Sequence, residues 1–155
     1  VINIRRGDYY SVPQINEFFG IDTVTYVEEA LKKLQDTVTP SRIIFVSDDF
    51  QWCVDNLSHL NSVAPCIFEK QGSGMFDDLA LVASAPYLIL TNTTFGYWGA
   101  YIGELLAQKL VLSPDIHKLI PIDARVYQER PQMHRARWVS ISHPEKKHWV
   151  SGESL

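Results

Sequence analysis

A chain of 155 residues with 46% apolar and 21% charged content is sized for one domain with its own core. The formal charge of −4 argues against a nucleic-acid partner, and no apolar run is long enough to span a membrane. The two cysteines, Cys53 and Cys66, make neither a disulfide framework nor a metal quartet, and read as buried thiols.

The chain begins at Val1 rather than Met, already inside a strand-like pattern, and so reads as a fragment or trimmed domain whose N-terminal part is missing. Val1, Ile2 and Ile4 around Asn3 form a short strand that ends at Arg5. Residues 11–21, SVPQINEFFGI, hold Pro13 and Gly20 and read as an irregular loop. Asp22 or Thr23 then caps a helix, TYVEEALKKLQDT, with Tyr26, Val27, Ala30, Leu31 and Leu34 on one face. After Pro40, RIIFVS (42–47) is a continuous apolar run, as buried parallel strands are.

DDFQWCVDNLSHL is a second helix, with Asp48 or Asp49 at its cap. APCIFE (64–69) is a third strand, KQGSG a loop, and MFDDLALVASA a helix whose Asp77 and Asp78 suit the positive end of its dipole. YLILT (87–91) is a fourth strand. NTTFGYWGAYIGELLAQ runs from loop into helix, and LVLS (110–113) is the last strand before Pro114.

This alternation predicts an α/β fold, a parallel sheet with helices on both faces, over residues 1–124. Residues 125–155 form a basic C-terminal extension packing on the same domain, with six Lys and Arg against three acids. It reads as a solvated surface, with attraction to phosphate or anionic lipid as the sharper alternative. Parallel sheets of this kind bind ligands beyond the carboxyl ends of their strands. Polar residues gather there: Arg5, Arg6 and Asp8; Ser47, Asp48 and Asp49; Thr91, Asn92, Thr93 and Thr94.

Arg5 and Arg6 leave an extended segment on opposite faces, so one enters a cleft while the other packs or pairs. A guanidinium fork suits a pyrophosphate, and Asp8 is placed to orient one of them. Arg6-Gly7-Asp8 also spells an adhesion tripeptide, which would need an exposed loop tip; the strand ending at Arg5 speaks against that. TNTTFGYWG leads into a helix, where hydroxyls and free N–H groups make an anion site and Gly96 permits close approach. Phe95, Tyr97 and Trp98 form an aromatic cluster beside it. No Walker loop or GxGxxG run is present. The acidic pairs Asp48-Asp49 and Asp77-Asp78 are metal candidates, but helix caps are the plainer reading. His59, His117, His134, His143 and His148 show no metal-ligand spacing and read as surface residues. Sequons stand at Asn56 and Asn92; a glycan at the second would block the ligand loop, which favours a cytosolic setting.

VINIRRGDYY resembles the signature strand of the inverting α-1,2-fucosyltransferases, a His-x-Arg-Arg-Gly-Asp-Tyr pattern that engages GDP-fucose. SDDFQWCVDNL resembles the family's next block, and FDDLALVASAPYLILTNTTFGYWGAYIGE its third and most specific one. The three blocks stand in the right order across residues 1–115. The resemblance implies a two-domain GT-B fold of which this chain is the C-terminal, donor-binding Rossmann-like half, with the acceptor-side domain absent. It makes Arg5 the arginine on the donor's β-phosphate, with Arg6 and Asp8 supporting it, and Asp78 the partner of guanine. Thr93 and Thr94 fall by the pyrophosphate, Thr91 and Phe95 are further donor-binding residues, and Ser47, Asp48 and Asp49 line the same cleft. Asn3 stands where the family usually has a histidine on the guanosine, which leaves that contact open.

The activity implied is transfer of L-fucose from GDP-fucose to a galactose 2-hydroxyl of a glycan acceptor, with inversion and with no cofactor or metal. Arg5 and Asp8 are the catalytic residues so implied. Asp8 and Glu17 are the nearest candidates for a general base, and the absent domain is the alternative source. The setting implied is cytoplasmic, or peripheral on the cytoplasmic membrane face, rather than the Golgi lumen. A non-catalytic nucleotide-sugar or glycan binding module of the same fold is the alternative, and the isolated piece is expected to be inactive.

Overall fold

In the computed structural model, which describes residues 1–70, 74–115 and 135–142, six parallel strands form one sheet. They are β1 (Ile2–Ile4), β2 (Ile43–Ser47), β3 (Cys66–Ile67), β4 (Tyr87–Leu90), β5 (Leu110–Pro114) and β6 (Val139–Ile141). Their spatial order is β3-β2-β1-β4-β5-β6. Strand order therefore reverses between β1 and β4, which pair through Ile2–Ile89 and Asn3–Leu90. A crevice opens at such a reversal because successive connections leave toward opposite sides.

The helices are α1 (Gly7–Ser11), α2 (Pro13–Phe19), α3 (Thr23–Gln35), α4 (Phe50–Leu57), α5 (Met75–Ser84) and α6 (Thr94–Leu106), with a 3₁₀ turn over Ser58–Ser62. Side-chain alternation along each strand divides the core in two. Ile2, Ile4, Ile43, Phe45, Ile89 and Leu112 pack with Tyr26, Val27, Ala30 and Leu31 of α3 and Cys53 and Leu57 of α4. Val46, Leu88, Leu90 and Val111 pack with Val82 of α5 and Ala100 of α6 on the other face. Odd-numbered positions of β1 therefore face α5 and α6. Asn3 is among them, and Arg5 continues the same parity.

Helices α3, α4 and α6 start on a side-chain cap, whereas α5 starts at Gly74, which has no side chain to offer. Asp22 accepts the Thr25 N–H at 3.2 Å, Asp49 that of Trp52 at 3.0 Å, and Thr93 that of Phe95 at 3.2 Å. Among the alternatives open in the sequence, Asp22 and Asp49 are thus the caps.

Three expectations require correction. Residues 11–21 are not an irregular loop: α1 and α2 fill most of the stretch, with Val12 extended between them. Pro13 stands in the first turn of α2, where its missing N–H is no loss, so the proline starts a helix. The third strand is only two residues long. The sheet also does not end at β5. Val139–Ile141, within the segment read as a basic extension, adds β6 through Leu112–Val139 and Pro114–Ile141. The boundary drawn at 124/125 lies outside the described residues, as do His117, His134, His143 and His148.

Candidate functional site

A cavity of about 540 Å³ lies at the carboxyl ends of β1, β2 and β4, at the point where strand order reverses. Asn3, Arg5 and Asp8 reach it from β1 and α1, Ser47 and Asp48 from β2, Asp78 from α5, and Thr93, Thr94 and Phe95 from the start of α6. Arg6, Asp49 and Thr91 do not line it.

Arg5 is held by two carboxylates. Its Nη2 meets Asp8 Oδ1 at 2.5 Å and its Nη1 meets Asp48 Oδ2 at 2.8 Å. Its backbone N–H donates to Oγ1 of buried Thr91 at 3.1 Å, which fixes the strand end. Burial acts to lower the Arg5 pKa, but the Asp8 hydrogen bond and the charges of Asp48 and Asp8 outweigh it and hold the pKa above its ordinary value. Both pairs are partly solvated, with 39% of the Arg5 side chain exposed, so they orient more than they stabilise.

Asp48 also accepts the Arg6 backbone N–H at 2.8 Å through Oδ1. One carboxylate thus ties the strand end and the Arg5 guanidinium together. The approach is close because Gly7 has φ +24° and no side chain: a Cβ there would stand 2.4 Å from Asp48 Oδ2.

Arg6 turns to the opposite face, as strand parity requires. Its Cζ lies 3.4 Å from the Tyr10 ring centroid and 3.9 Å from that of Trp52. This guanidinium is clamped between aromatic faces, where desolvated cation–π contact is strongest. The adhesion reading fails here, because Arg6 is packed, Gly7 opens α1 and Asp8 is paired to Arg5.

Asn3 forms the floor, 4% exposed. Its Nδ2 donates to Val46 O at 3.1 Å, which settles the amide orientation, since a flip would set two oxygens together. Oδ1 then has no hydrogen-bond partner among the described residues. It lies against Gly96, where a Cβ would come within 2.4 Å of it. The glycine in the first turn of α6 thus lets that turn sit directly on the β1 floor. Thr93 caps this helix, and Thr94, exposed, is its first residue.

The acidic pairs divide their work. Asp49 caps α4 while Asp48 takes Arg5; Asp77 accepts the Gly74 N–H at 3.1 Å while Asp78 faces the cavity and meets Lys70 Nζ at 3.7 Å. Glu17 is exposed on α2 and does not line the cavity. Asn92 is buried, and its Nδ2 donates to Phe19 O at 2.8 Å, so the sequon nitrogen is engaged inside the fold.

Sequence reasoning missed Tyr9 and Lys70 among the lining residues. The Arg5 Cζ lies 5.6 Å from the Tyr9 ring centroid, and that ring stacks on Phe19 at 4.8 Å. Burial, with Asp8 adding and Arg5 opposing, raises the Tyr9 pKa. Both residues follow strand ends on the ligand side, which was the available signal.

A sequence profile of glycosyl transferase family 11 matches residues 1–115. The O-antigen biosynthesis glycosyltransferase WbnK of Escherichia coli is 30% identical over 114 residues, 73% of this chain and 37% of the relative. An alpha-1,2-colitosyltransferase of Escherichia coli is 28% identical over 101 residues, 65% of this chain and 35% of the relative. Galactoside alpha-(1,2)-fucosyltransferase 2 of Oryctolagus cuniculus is 30% identical over 151 residues, 90% of this chain and 42% of the relative. The chain thus spans about two-fifths or less of the length of these curated relatives. No solved structure gives a significant match.

Proposed function

This chain belongs to glycosyl transferase family 11, and on that premise we propose that it is the donor-binding domain of an inverting α-1,2-fucosyltransferase. GDP-fucose is the donor and a galactose-containing glycan the acceptor. The observation that carries the reading is the convergence of Arg5 and the α6 N-terminus on one cavity at the strand-order reversal. A second reading, colitosyl transfer, is favoured by the match to the colitosyltransferase and differs in the sugar moved. The acceptor side, in this reading, belongs to a further domain that completes a two-domain GT-B enzyme.

The galactose 2-hydroxyl attacks the anomeric carbon, the bond from that carbon to the β-phosphate oxygen breaks, and its electron pair passes to the phosphate. Charge grows on GDP as the bond lengthens. Arg5 supplies fixed positive charge there, and the free N–H groups of the first α6 turn supply oriented dipoles. Both are in place before reaction, so little reorganisation accompanies the charge shift. Asp8 and Asp48 keep the guanidinium at its station, and the acceptor hydroxyl gives its proton to a base opposite the leaving group, which in this reading the further domain supplies. Asp78, on α5, takes the guanine edge.

Calorimetric titration of the full-length protein with GDP tests this assignment. Arg5→Ala is expected to weaken GDP by about 10- to 100-fold, as loss of a charged hydrogen bond does. Unchanged affinity in that variant would sink the role given to Arg5.

A further inference from the structure

The cavity carries more negative charge than a diphosphate site should. Among the described residues its lining holds three carboxylates, Asp8, Asp48 and Asp78, against two cations, Arg5 and Lys70. Arg5 is already engaged on both sides by Asp8 and Asp48. A nucleoside diphosphate entering this space meets its own sign of charge unless the less firmly held of these two cations leaves its carboxylate and turns to it.

Lys70 is that cation. It follows β3 (Cys66–Ile67), on the ligand side of the sheet, and lines the same cavity as Arg5 and the α6 N-terminus. Its only ion pair among the described residues is with Asp78 Oδ2 at 3.7 Å, too long for a hydrogen bond. The Lys70 side chain is 46% exposed, on a flexible four-carbon stem, whereas the Asp78 side chain is 17% exposed. A long, half-solvated contact of this kind holds little free energy and is readily exchanged.

We infer that Lys70 is a second diphosphate ligand, parked on Asp78 when the cavity holds no nucleotide. The inference rests on the donor-binding reading above. As nucleotide enters, Nζ moves from the carboxylate to a phosphate oxygen, exchanging a 3.7 Å contact for a charge-assisted hydrogen bond. The same movement uncovers both Asp78 oxygens for the N1–H and exocyclic amine of guanine. One displacement thus serves both ends of the ligand, and couples recognition of the base to recognition of the diphosphate.

The test compares GDP with guanosine, titrated into full-length wild type, Lys70→Met and Lys70→Arg. A phosphate ligand requires Lys70→Met to weaken GDP about 10- to 100-fold while guanosine affinity holds or rises slightly, because Asp78 is freed. Lys70→Arg should recover most of the GDP loss, and the salt dependence of GDP binding should be shallower in Lys70→Met than in wild type. GDP affinity unchanged in Lys70→Met, or GDP and guanosine weakened equally, overturns the inference while leaving the donor-domain reading intact. Failure of wild type to bind GDP overturns both. Melting temperatures of the three proteins are expected to coincide, since the side chain is half exposed.

Discussion

Replacing Gly7 with alanine tests whether Arg5 is placed by the turn beneath it. At φ +24° an L-residue carries strain of about 1–2 kcal/mol. Its Cβ would also stand 2.4 Å from Asp48 Oδ2 and 3.4 Å from Arg5 Cζ. The carboxylate must move, and in moving it releases the Arg6 N–H and the Arg5 Nη1, each held at 2.8 Å. Those two contacts are discounted to about 1 kcal/mol together, because the Asp48 side chain is 28% exposed. The expected destabilisation is therefore about 2–3 kcal/mol, read from urea unfolding. GDP affinity should fall about tenfold in the same variant, since Arg5 keeps only Asp8. Gly74→Ala is the control: among the described residues nothing lies within 4 Å of its Cβ, and GDP binding should not change. A Gly7→Ala protein as stable as wild type, with unaltered GDP affinity, would refute the placement of Arg5 through Asp48.

Two further outcomes follow from groups away from the cavity. Burial pushes the Cys53 thiol up to about 11, so unfolded chains lose this proton first as pH rises. Stability contributed by the protonated thiol is full below pH 9 and falls between about 9 and 11, by up to about 2–3 kcal/mol; Cys53→Ala should lack that part of the slope in denaturant titrations. Glu104 of α6, its side chain 4% exposed, pairs with Arg135 at 2.8 Å and Arg137 at 3.2 Å and accepts the Trp138 indole N–H at 2.8 Å. Glu104→Gln should cost about 2–4 kcal/mol and speed hydrogen exchange in β6 ahead of β1; equal exchange in both strands would mean that the cluster does not anchor β6.

Much of the fold was legible because it depends on short-range pattern. The alternation Ile2, Asn3, Ile4 buries two isoleucines on one face and sends Asn3 and Arg5 to the other, so the split between Arg5 and Arg6 follows from parity alone. Continuous apolar runs located β2, β4 and β5, and the alternatives Asp22 or Thr23 and Asp48 or Asp49 marked the starts of α3 and α4. What stayed hidden depends on partners distant in the chain. The aromatic clamp on Arg6 needs Trp52 from α4, and the second carboxylate on Arg5 needs Asp48 from the end of β2. Asp48 and Asp49 are indistinguishable as adjacent acids; only the turn after β2 makes one a cap and the other an arginine partner. β6 is three residues long, and its place is held by Glu104, which no local pattern reveals.

The most direct measurement is transfer itself. The full-length protein is incubated with GDP-L-fucose and a terminal β-galactoside, and the product linkage and anomer are read by NMR. The expected product carries fucose α-linked to the galactose 2-hydroxyl, with Arg5→Ala lowering kcat by about 10²- to 10³-fold. A fucoside linked at another hydroxyl, retention of the donor's configuration, or transfer only from a different nucleotide sugar would contradict the assignment.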